Sequence, residues 1–223
     1  IVYSAGFAIA SITQWPIGWL IAGMGVLTTL YTSEGGLKTV VWTDNVQLVV
    51  LMGGALAVPA VVWGQLGTSP VIWFQTLGEI GHTRIELFSF DPTVRLTLVG
   101  MAVAAIAWNI CSHASDQVAV QRYLATKDVE SARRGVRTAV WGNVFANLLL
   151  GFCGVALFAF YQASSGLAPA AFHAETATTA DQLLPRFLVE QLPAGISGLV
   201  LAAMLAAAMS SLSSGINSIS GVL

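Results

Sequence analysis

Residues 195–222 read GISGLVLAAMLAAAMSSLSSGINSISGV, which combines the length of a membrane span with many hydroxyl groups. A helix of about 20 apolar residues crosses the hydrocarbon core of a bilayer. Helical spacing places Ser210, Ser211 and Ser214 on one face, together with Ala207. Two interpretations are open. Either the hydroxyls and a backbone carbonyl bind a small cation such as sodium, or small residues allow close helix packing while each hydroxyl bonds to a carbonyl one turn earlier.

The composition of the chain indicates a polytopic membrane protein. Its 223 residues are 56% hydrophobic and 9% charged, with a mean hydropathy of +0.76. In soluble domains about a quarter of the residues are charged. We therefore predict an all-α fold in which residues 1–223 form a single transmembrane domain in the lipid bilayer. The net charge of −2 gives no support for nucleic-acid binding.

Both cysteines and both chain ends lie in apolar sequence. Cys111 and Cys153 are predicted to be inert core thiols rather than a disulfide or a metal pair. The chain starts at Ile1, without an initiator Met or a signal peptide, and stops at Leu223. We therefore expect this sequence to be completed by N- and C-terminal parts of the same protein.

The hydropathy pattern predicts a partial membrane span followed by complete ones. These spans cover residues 1–12 (partial), 17–31, 40–63, 94–118, 140–161 and 195–222. A tight Gly-Gly loop is predicted at residues 32–38. The loops at residues 64–93 and 162–194 are predicted to be external, with a helix near residues 71–77 in the first and near 181–191 in the second.

The distribution of basic residues predicts the orientation of the spans. Five of the nine Lys and Arg residues lie in the loop at residues 119–139, and cytoplasmic loops carry such an excess of positive charge. Alternation then directs the 40–63 span outward and the 195–222 span inward. Asp44, Ser213 and Ser214 are therefore predicted to lie in the same cytoplasmic half of the membrane.

Asp44 is a carboxylate at the beginning of a strongly apolar span. An unpaired Asp at the centre of a membrane helix costs about 2.5–3.5 kcal/mol on insertion scales, which favours a functional partner. The alternative is a capping role, because the helix dipole stabilises Asp at a helix N-terminus. The sequence leaves both interpretations open.

Neutral polar side chains occur late in the 94–118 span and early in the next one. Asn109, Ser112 and His113 share a helix face by their spacing, and Asn143 lies in the first turns of the following helix. Such groups in apolar surroundings are typical of a site for a polar solute, although His113 also fits a hydrogen-bonded packing residue. No Ser-His-Asp set, HExxH or nucleotide-binding loop occurs at a meaningful spacing, so no enzyme activity is expected.

Four motifs together resemble the sodium/solute symporter family. They are YTSEGGLKTVVWTDNVQ at residues 31–47, SDQVAVQRYLATKDVESARRG at 115–135, GISGLVLAAMLAAAMSSLSS at 195–214 and GINSIS at 215–220. The resemblance covers essentially the whole chain. It implies part of a core of two inverted five-helix repeats, from the tail of core helix three through core helix eight, around a solute site at the bilayer centre.

The resemblance also implies sodium sites. The first would take a carbonyl and two hydroxyls of core helix eight, at Ala207, Ser210 and Ser211, with further ligands on core helix one, which this sequence lacks. The subfamily that binds a second sodium ion holds it with an aspartate on core helix five and serines on core helix eight. The matching positions are Asp44, Ser210, Ser213 and Ser214.

The resemblance gives less information about the solute. Asn109 and Asn143 match solute-contact positions of the sugar-transporting branch, but that branch has a Lys at the position of Asn143. Ser112 takes the place of an aromatic gate in that branch. These departures argue against a sugar.

We therefore expect a sodium-coupled symporter of a small polar or anionic solute that works by alternating access. Na⁺ would be the transported coupling ion, with no organic cofactor. The expected location is the plasma membrane, or the cell inner membrane if the source is bacterial. Two alternatives are open: the membrane sensor region of a symporter-like signalling protein, and a proton-coupled carrier that uses His113 or Asp44.

Overall fold

The structure, a computed structural model, describes residues 2–80, 87–90 and 97–220. The regular elements of these residues are helices, which confirms the predicted all-α class. They are α1 Val2–Thr13, α2 Ile17–Leu66, α3 Pro70–Gly78, α4 Leu98–Ile110, a π-helix Cys111–Ser115, α5 Gln117–Leu124, α6 Val129–Ser165, α7 Pro169–Thr176, α8 Ala180–Glu190 and α9 Ala194–Ser220.

Four helical segments in the described part of the chain are long and apolar enough to cross a membrane. They are Val41–Leu66, Leu98–Ser115, Val129–Ser165 and Gly195–Ser220. A shorter apolar segment, Ile17–Leu30, forms the first part of α2. Many large apolar side chains on these helices are exposed. Lipid or further helices around them would explain this, because lipid tails are as apolar as a protein core.

The helical assignment of α2 is continuous from Ile17 to Leu66, including residues 32–38, where the sequence predicts a tight Gly-Gly loop. The sequence there contains no proline, and each glycine disfavours a helix by only about 1 kcal/mol. The termini of α2 coincide with stronger signals. Pro16 precedes the first turn, and Gly67 follows the last turn with a left-handed φ of 62°.

The two ends of α2 nevertheless lie close together. Ile17 and Gln182 of α8 line one cavity, and Gln65 donates a hydrogen bond to Gln191, next to α8, at 3.0 Å. A straight helix of the 50 residues of α2 would be about 75 Å long, whereas the 11 residues of α8 extend only about 16 Å. The chain therefore reverses direction within α2. Its two helical segments, Ile17–Leu30 and Val41–Leu66, lie on either side of the reversal.

The end of the predicted 94–118 span also differs from the structure. α4 passes into the π-helix, and the backbone becomes extended at Asp116, whose carboxylate accepts a hydrogen bond from the N–H of Val118. This side-chain cap starts α5, and it competes with continuation of the preceding helix. The apolar segment thus ends at Ser115, while the predicted start at residues 94–96 lies outside the described residues.

The predicted cytoplasmic loop 119–139 is largely helical, because α5 occupies its beginning and α6 begins at Val129 rather than at residue 140. Asp128 caps α6 by accepting a hydrogen bond from the N–H of Ser131 at 2.6 Å. The same hydrogen bond lowers the pKa of Asp128. α3 and α8 confirm the helices predicted in the two external loops, whereas α7 was not predicted.

The core lies where α2, α6, α8 and α9 meet. Gly54 of α2 is buried against Val200 of α9, and a Cβ atom added to Gly54 would lie 2.5 Å from Val200 Cγ2. Cys153 is buried and its thiol bonds to the carbonyl of Ala55 at 2.9 Å. Cys111 is exposed, so the prediction of a core thiol is wrong for that residue.

Candidate functional site

Asp44 lies at the junction of α2, α5 and α9. Its Oδ1 accepts a hydrogen bond from the Ser210 hydroxyl of α9. Its Oδ2 accepts one from Nη2 of Arg122, on α5, at 2.9 Å. The same nitrogen donates to Ser214 Oγ at 3.2 Å. The structure therefore brings together Asp44, Ser210 and Ser214, which the family resemblance grouped, and adds the guanidinium of Arg122 to them.

The capping hypothesis for Asp44 is wrong. Both carboxylate oxygens of Asp44 instead have partners on other helices. Its burial is consistent with this role, since 23% of the Asp44 side chain is exposed.

Ser213 has a different partner from its neighbours on α9. It is fully buried, and its Oγ accepts a hydrogen bond from the Thr32 hydroxyl at 2.9 Å. Successive residues of an α-helix point in directions about 100° apart, so Ser213 and Ser214 face different neighbours. Of the serines matched to the second sodium site, Ser210 bonds to Asp44 and Ser214 shares Arg122 with it, whereas Ser213 bonds to Thr32 instead.

The residues matched to the first sodium site lie on one stretch of α9. Ser211 donates to the carbonyl of Ala207 at 3.2 Å, and Ser220 makes the same type of bond to Ile216 at 2.9 Å. The back-bonding interpretation therefore applies to Ser211. Ser210 bonds to Asp44 on another helix, so its hydroxyl is shared by the two sets of residues.

The predicted solute-binding residues make mostly local contacts. Asn109 donates to the carbonyl of Ala105 at 2.8 Å, and His113 Nδ1 lies 2.9 Å from the Tyr123 hydroxyl. Asn143 Oδ1 accepts a hydrogen bond from Asn147 at 2.7 Å. No hydrogen bond among the described residues joins Asn143 to Asn109, Ser112 or His113. The described hydrogen bonds therefore do not link α4, which carries Asn109, to α6, which carries Asn143.

An apolar cavity of about 220 Å³ lies between α2, α6, α8 and α9. Its lining includes Met52, Val58, Cys153 and Val200, and none of the predicted site residues. Polar solutes need a few well-placed hydrogen-bonding groups. This cavity is therefore a poor candidate for the solute site.

Arg122 and Thr32 were not among the site residues predicted from the sequence. Arg122 counted only as one of the basic residues that define the cytoplasmic loop, and Thr32 was assigned to the Gly-Gly loop. A signal did exist for Arg122: the predicted orientation placed it on the same side as Asp44, and a carboxylate in an apolar span favours a charged partner. No local pattern indicates the contact between Thr32 and Ser213.

These helices define a multi-pass membrane protein with a charged, hydroxyl-rich site between α2, α5 and α9. The sequence profile of the sodium:solute symporter family matches residues 2–223. The chain belongs to that family, whose members found in the comparison are transporters and not enzymes.

Individual relatives show how much of a transporter the chain represents. It is 31% identical to the sodium/sialic acid symporter SiaT of Proteus mirabilis, over 90% of this chain and 39% of that protein. It is 30% identical to the sodium/glucose cotransporter of Vibrio parahaemolyticus, over 98% of this chain and 42% of that protein. It is 29% identical to the human sodium/iodide cotransporter, over 100% of this chain and 34% of that protein.

The fold is similar to that of a Na⁺-coupled sialic acid symporter solved in its substrate-bound, outward-open state. The TM-score is 0.79 at 30% sequence identity, covering 99% of this chain and 45% of that one. This similarity supports the prediction of a partial polytopic transporter core. The chain spans less than half the length of the curated relatives described above.

Proposed function

We propose that the full-length protein is a sodium-coupled symporter that carries a small polar or anionic solute by alternating access. The observation that carries this proposal is the contact of Asp44 with Ser210, next to Ser214, in a chain of this family. Hard cations prefer carboxylate and hydroxyl oxygens. A bound sodium ion would also offset the cost of placing Asp44 in an apolar span.

Two sodium sites follow from this proposal. The first uses the Ala207 carbonyl with the Ser210 and Ser211 hydroxyls. The second uses Asp44 with hydroxyls of α9, at Ser210, Ser213 and Ser214. Sodium that favours the outward-open, solute-competent state lowers the solute dissociation constant there, by linkage. A membrane potential of about 100 mV supplies about 2.3 kcal/mol for each charge moved inward.

The solute is proposed to contact Asn109, Ser112, His113 and Asn143, together with helices outside this sequence. The relatives carry solutes of different chemistry, as their names state sialic acid, glucose and iodide. We therefore specify the solute only as a small polar or anionic molecule. We further propose that the protein lies in the plasma membrane, or in the inner membrane of a bacterium.

Replacing either hydroxyl of the first site tests the sodium coupling. We expect Ser210→Ala or Ser211→Ala to raise the sodium concentration for half-maximal uptake by roughly tenfold, because a polar contact to a charged group contributes about 1.5–3 kcal/mol. The measurement is solute uptake into liposomes that contain the full-length protein, driven by an inward sodium gradient and recorded at increasing sodium concentrations. A panel of polar and anionic solutes is tested.

Ser220→Ala is the matched control for these variants. Ser220 makes the same bond to a carbonyl one turn earlier as Ser211 does, but it is the last residue of α9 and lies more than two turns beyond Ser211. It should leave sodium activation unchanged. Unaltered sodium activation in both Ser210→Ala and Ser211→Ala would assign these hydroxyls to packing, and uptake driven by a pH gradient without sodium would favour the proton-coupled alternative.

Asn109→Ala tests the solute site. We expect it to raise the solute concentration for half-maximal uptake by about two- to tenfold, the equivalent of one lost hydrogen bond, with sodium activation less affected. Asn45→Ala is the control, because the Asn45 amide makes the same local bond, to the Val41 carbonyl at 2.7 Å. Equal solute affinity in Asn109→Ala and the wild type would remove α4 from the pocket.

A further inference from the structure

Arg122 is bound to acceptors that the proposed function assigns to the second sodium ion. Its Nη2 lies 2.9 Å from Asp44 Oδ2 and 3.2 Å from Ser214 Oγ. The remaining carboxylate oxygen, Asp44 Oδ1, is bonded to Ser210. In this structure the guanidinium is therefore the cation that neutralises Asp44.

Arg122 and a sodium ion at the second site would compete for the same acceptors. A guanidinium group carries only donors, so it offers no oxygen or lone pair to a metal ion. Two positive charges around a single carboxylate also repel each other, more strongly in an apolar setting than in water. A sodium ion bound through Asp44 Oδ2 and Ser214 Oγ would therefore require that Nη2 of Arg122 leaves both atoms.

We propose that Arg122 is a tethered cation that competes with the second sodium ion for Asp44. Sodium entering the site displaces the guanidinium, and the guanidinium returns to Asp44 as sodium leaves. The inference rests on the proposed function, because it assumes that Asp44 binds sodium. It adds a residue that sets the affinity of the site without being a ligand of the ion.

The position of Arg122 allows this exchange. Its side chain is 42% exposed, so water can solvate the guanidinium when it leaves Asp44. It lies on the short helix α5, which begins at the backbone change at Asp116. The neighbouring Gln121 holds α5 to α9 through a bond to the Ser218 carbonyl at 3.5 Å. Release of the guanidinium would therefore remove one of the polar links between these two helices.

The same geometry gives a direction to the exchange. Arg122 is in the basic segment that the positive-inside rule assigns to the cytoplasmic side. The guanidinium therefore approaches Asp44 from the side at which sodium would be released. By binding Asp44 as sodium departs, Arg122 would keep the carboxylate paired and oppose rebinding of sodium.

Sodium binding to the purified full-length protein tests the competition. Sodium stabilises a protein that binds it only in the folded state, so the rise in melting temperature with sodium concentration, at constant ionic strength, reports affinity. We expect Arg122→Gln, and also Arg122→Met, to lower the sodium concentration for half-maximal stabilisation by about fivefold or more, the lower end of typical coupling between sites. Two neutral replacements are used so that the test can still be made if one of the two variants fails to fold.

The gain in affinity separates competition from a structural role, because a variant that merely loosened the site would bind sodium more weakly. Arg134→Gln is the matched control: it removes the same charge from the same basic segment, but Arg134 contacts Ser131. It should leave the half-saturation unchanged. In an Asp44→Asn background, Arg122→Gln should have no further effect on sodium binding.

Two different failures can be told apart. If Asp44→Asn binds sodium as the wild type does, the second sodium site is wrong and the inference falls with it. If Asp44→Asn weakens sodium binding but the neutral Arg122 variants leave the half-saturation unchanged or raise it, the site stands and the competition is overturned.

Discussion

Asp44→Asn in the full-length protein is expected to reduce the sodium Hill coefficient of uptake toward one and to lower the charge moved per solute. Asparagine keeps the size of the side chain and an acceptor for the Ser210 hydroxyl, but it removes the charge that attracts the cation. Sodium activation curves and the current per transported solute, recorded in the same liposomes, measure both quantities. The first sodium site should remain, so uptake stays sodium-dependent.

Asp116→Asn is the control for this variant. Asp116 is an exposed capping carboxylate that accepts a hydrogen bond from the N–H of Val118 at 2.9 Å, and asparagine caps a helix about as well as aspartate. It should leave the Hill coefficient unchanged. If Asp44→Asn inserts correctly and shows the same sodium cooperativity as a cooperative wild type, there is no second sodium site at Asp44.

Gly54→Ala is expected to destabilise the protein by overpacking the contact between α2 and α9. The new Cβ would lie 2.5 Å from Val200 Cγ2 and 3.0 Å from Val200 Cγ1. Valine is stiff at χ1 and cannot move aside without strain. Overpacking of a core costs about 1–3 kcal/mol, so a lower melting temperature of the full-length protein in detergent is the expected result.

Gly53→Ala is the control, because an added Cβ there meets no atom within 4 Å. It should be neutral or slightly stabilising, since alanine favours a helix over glycine by about 1 kcal/mol. The double variant Gly54→Ala, Val200→Ala should recover part of the lost stability by relieving the contact. Equal melting temperatures for the two glycine variants would show that α2 and α9 do not approach this closely.

The close packing of α2 and α9 and the contact at Asp44 lie on the same pair of helices. Gly54 sets how near the two helices lie, and Asp44 and Ser210 meet further along the same pair. Gly54→Ala is therefore expected to weaken sodium activation as well as stability.

Hydropathy was sufficient to predict the helical class and most of the apolar segments, whereas the grouping of Asp44 with Ser210 was implied only by the family resemblance. These properties are local: a run of apolar residues is a membrane span wherever it lies in the fold. Caps at Asp116 and Asp128, which shift the boundaries of α5 and α6, follow local rules as well. The glycine pair in residues 32–38 lies between the two apolar segments of α2, and the helical assignment continues through it because glycines weaken a helix by only about 1 kcal/mol each.

The partners within the site were decided by the tertiary structure alone. Asp44 meets Ser210 across 166 residues and Arg122 across 78, and Thr32 meets Ser213 across 181. No periodicity extends over such separations, because the meeting of two side chains depends on where α2 reverses and how closely the helices pack. The sequence by itself determined which residues are costly to leave unpaired in a membrane, and the packing of α2, α5 and α9 determined that a basic side chain neutralises Asp44.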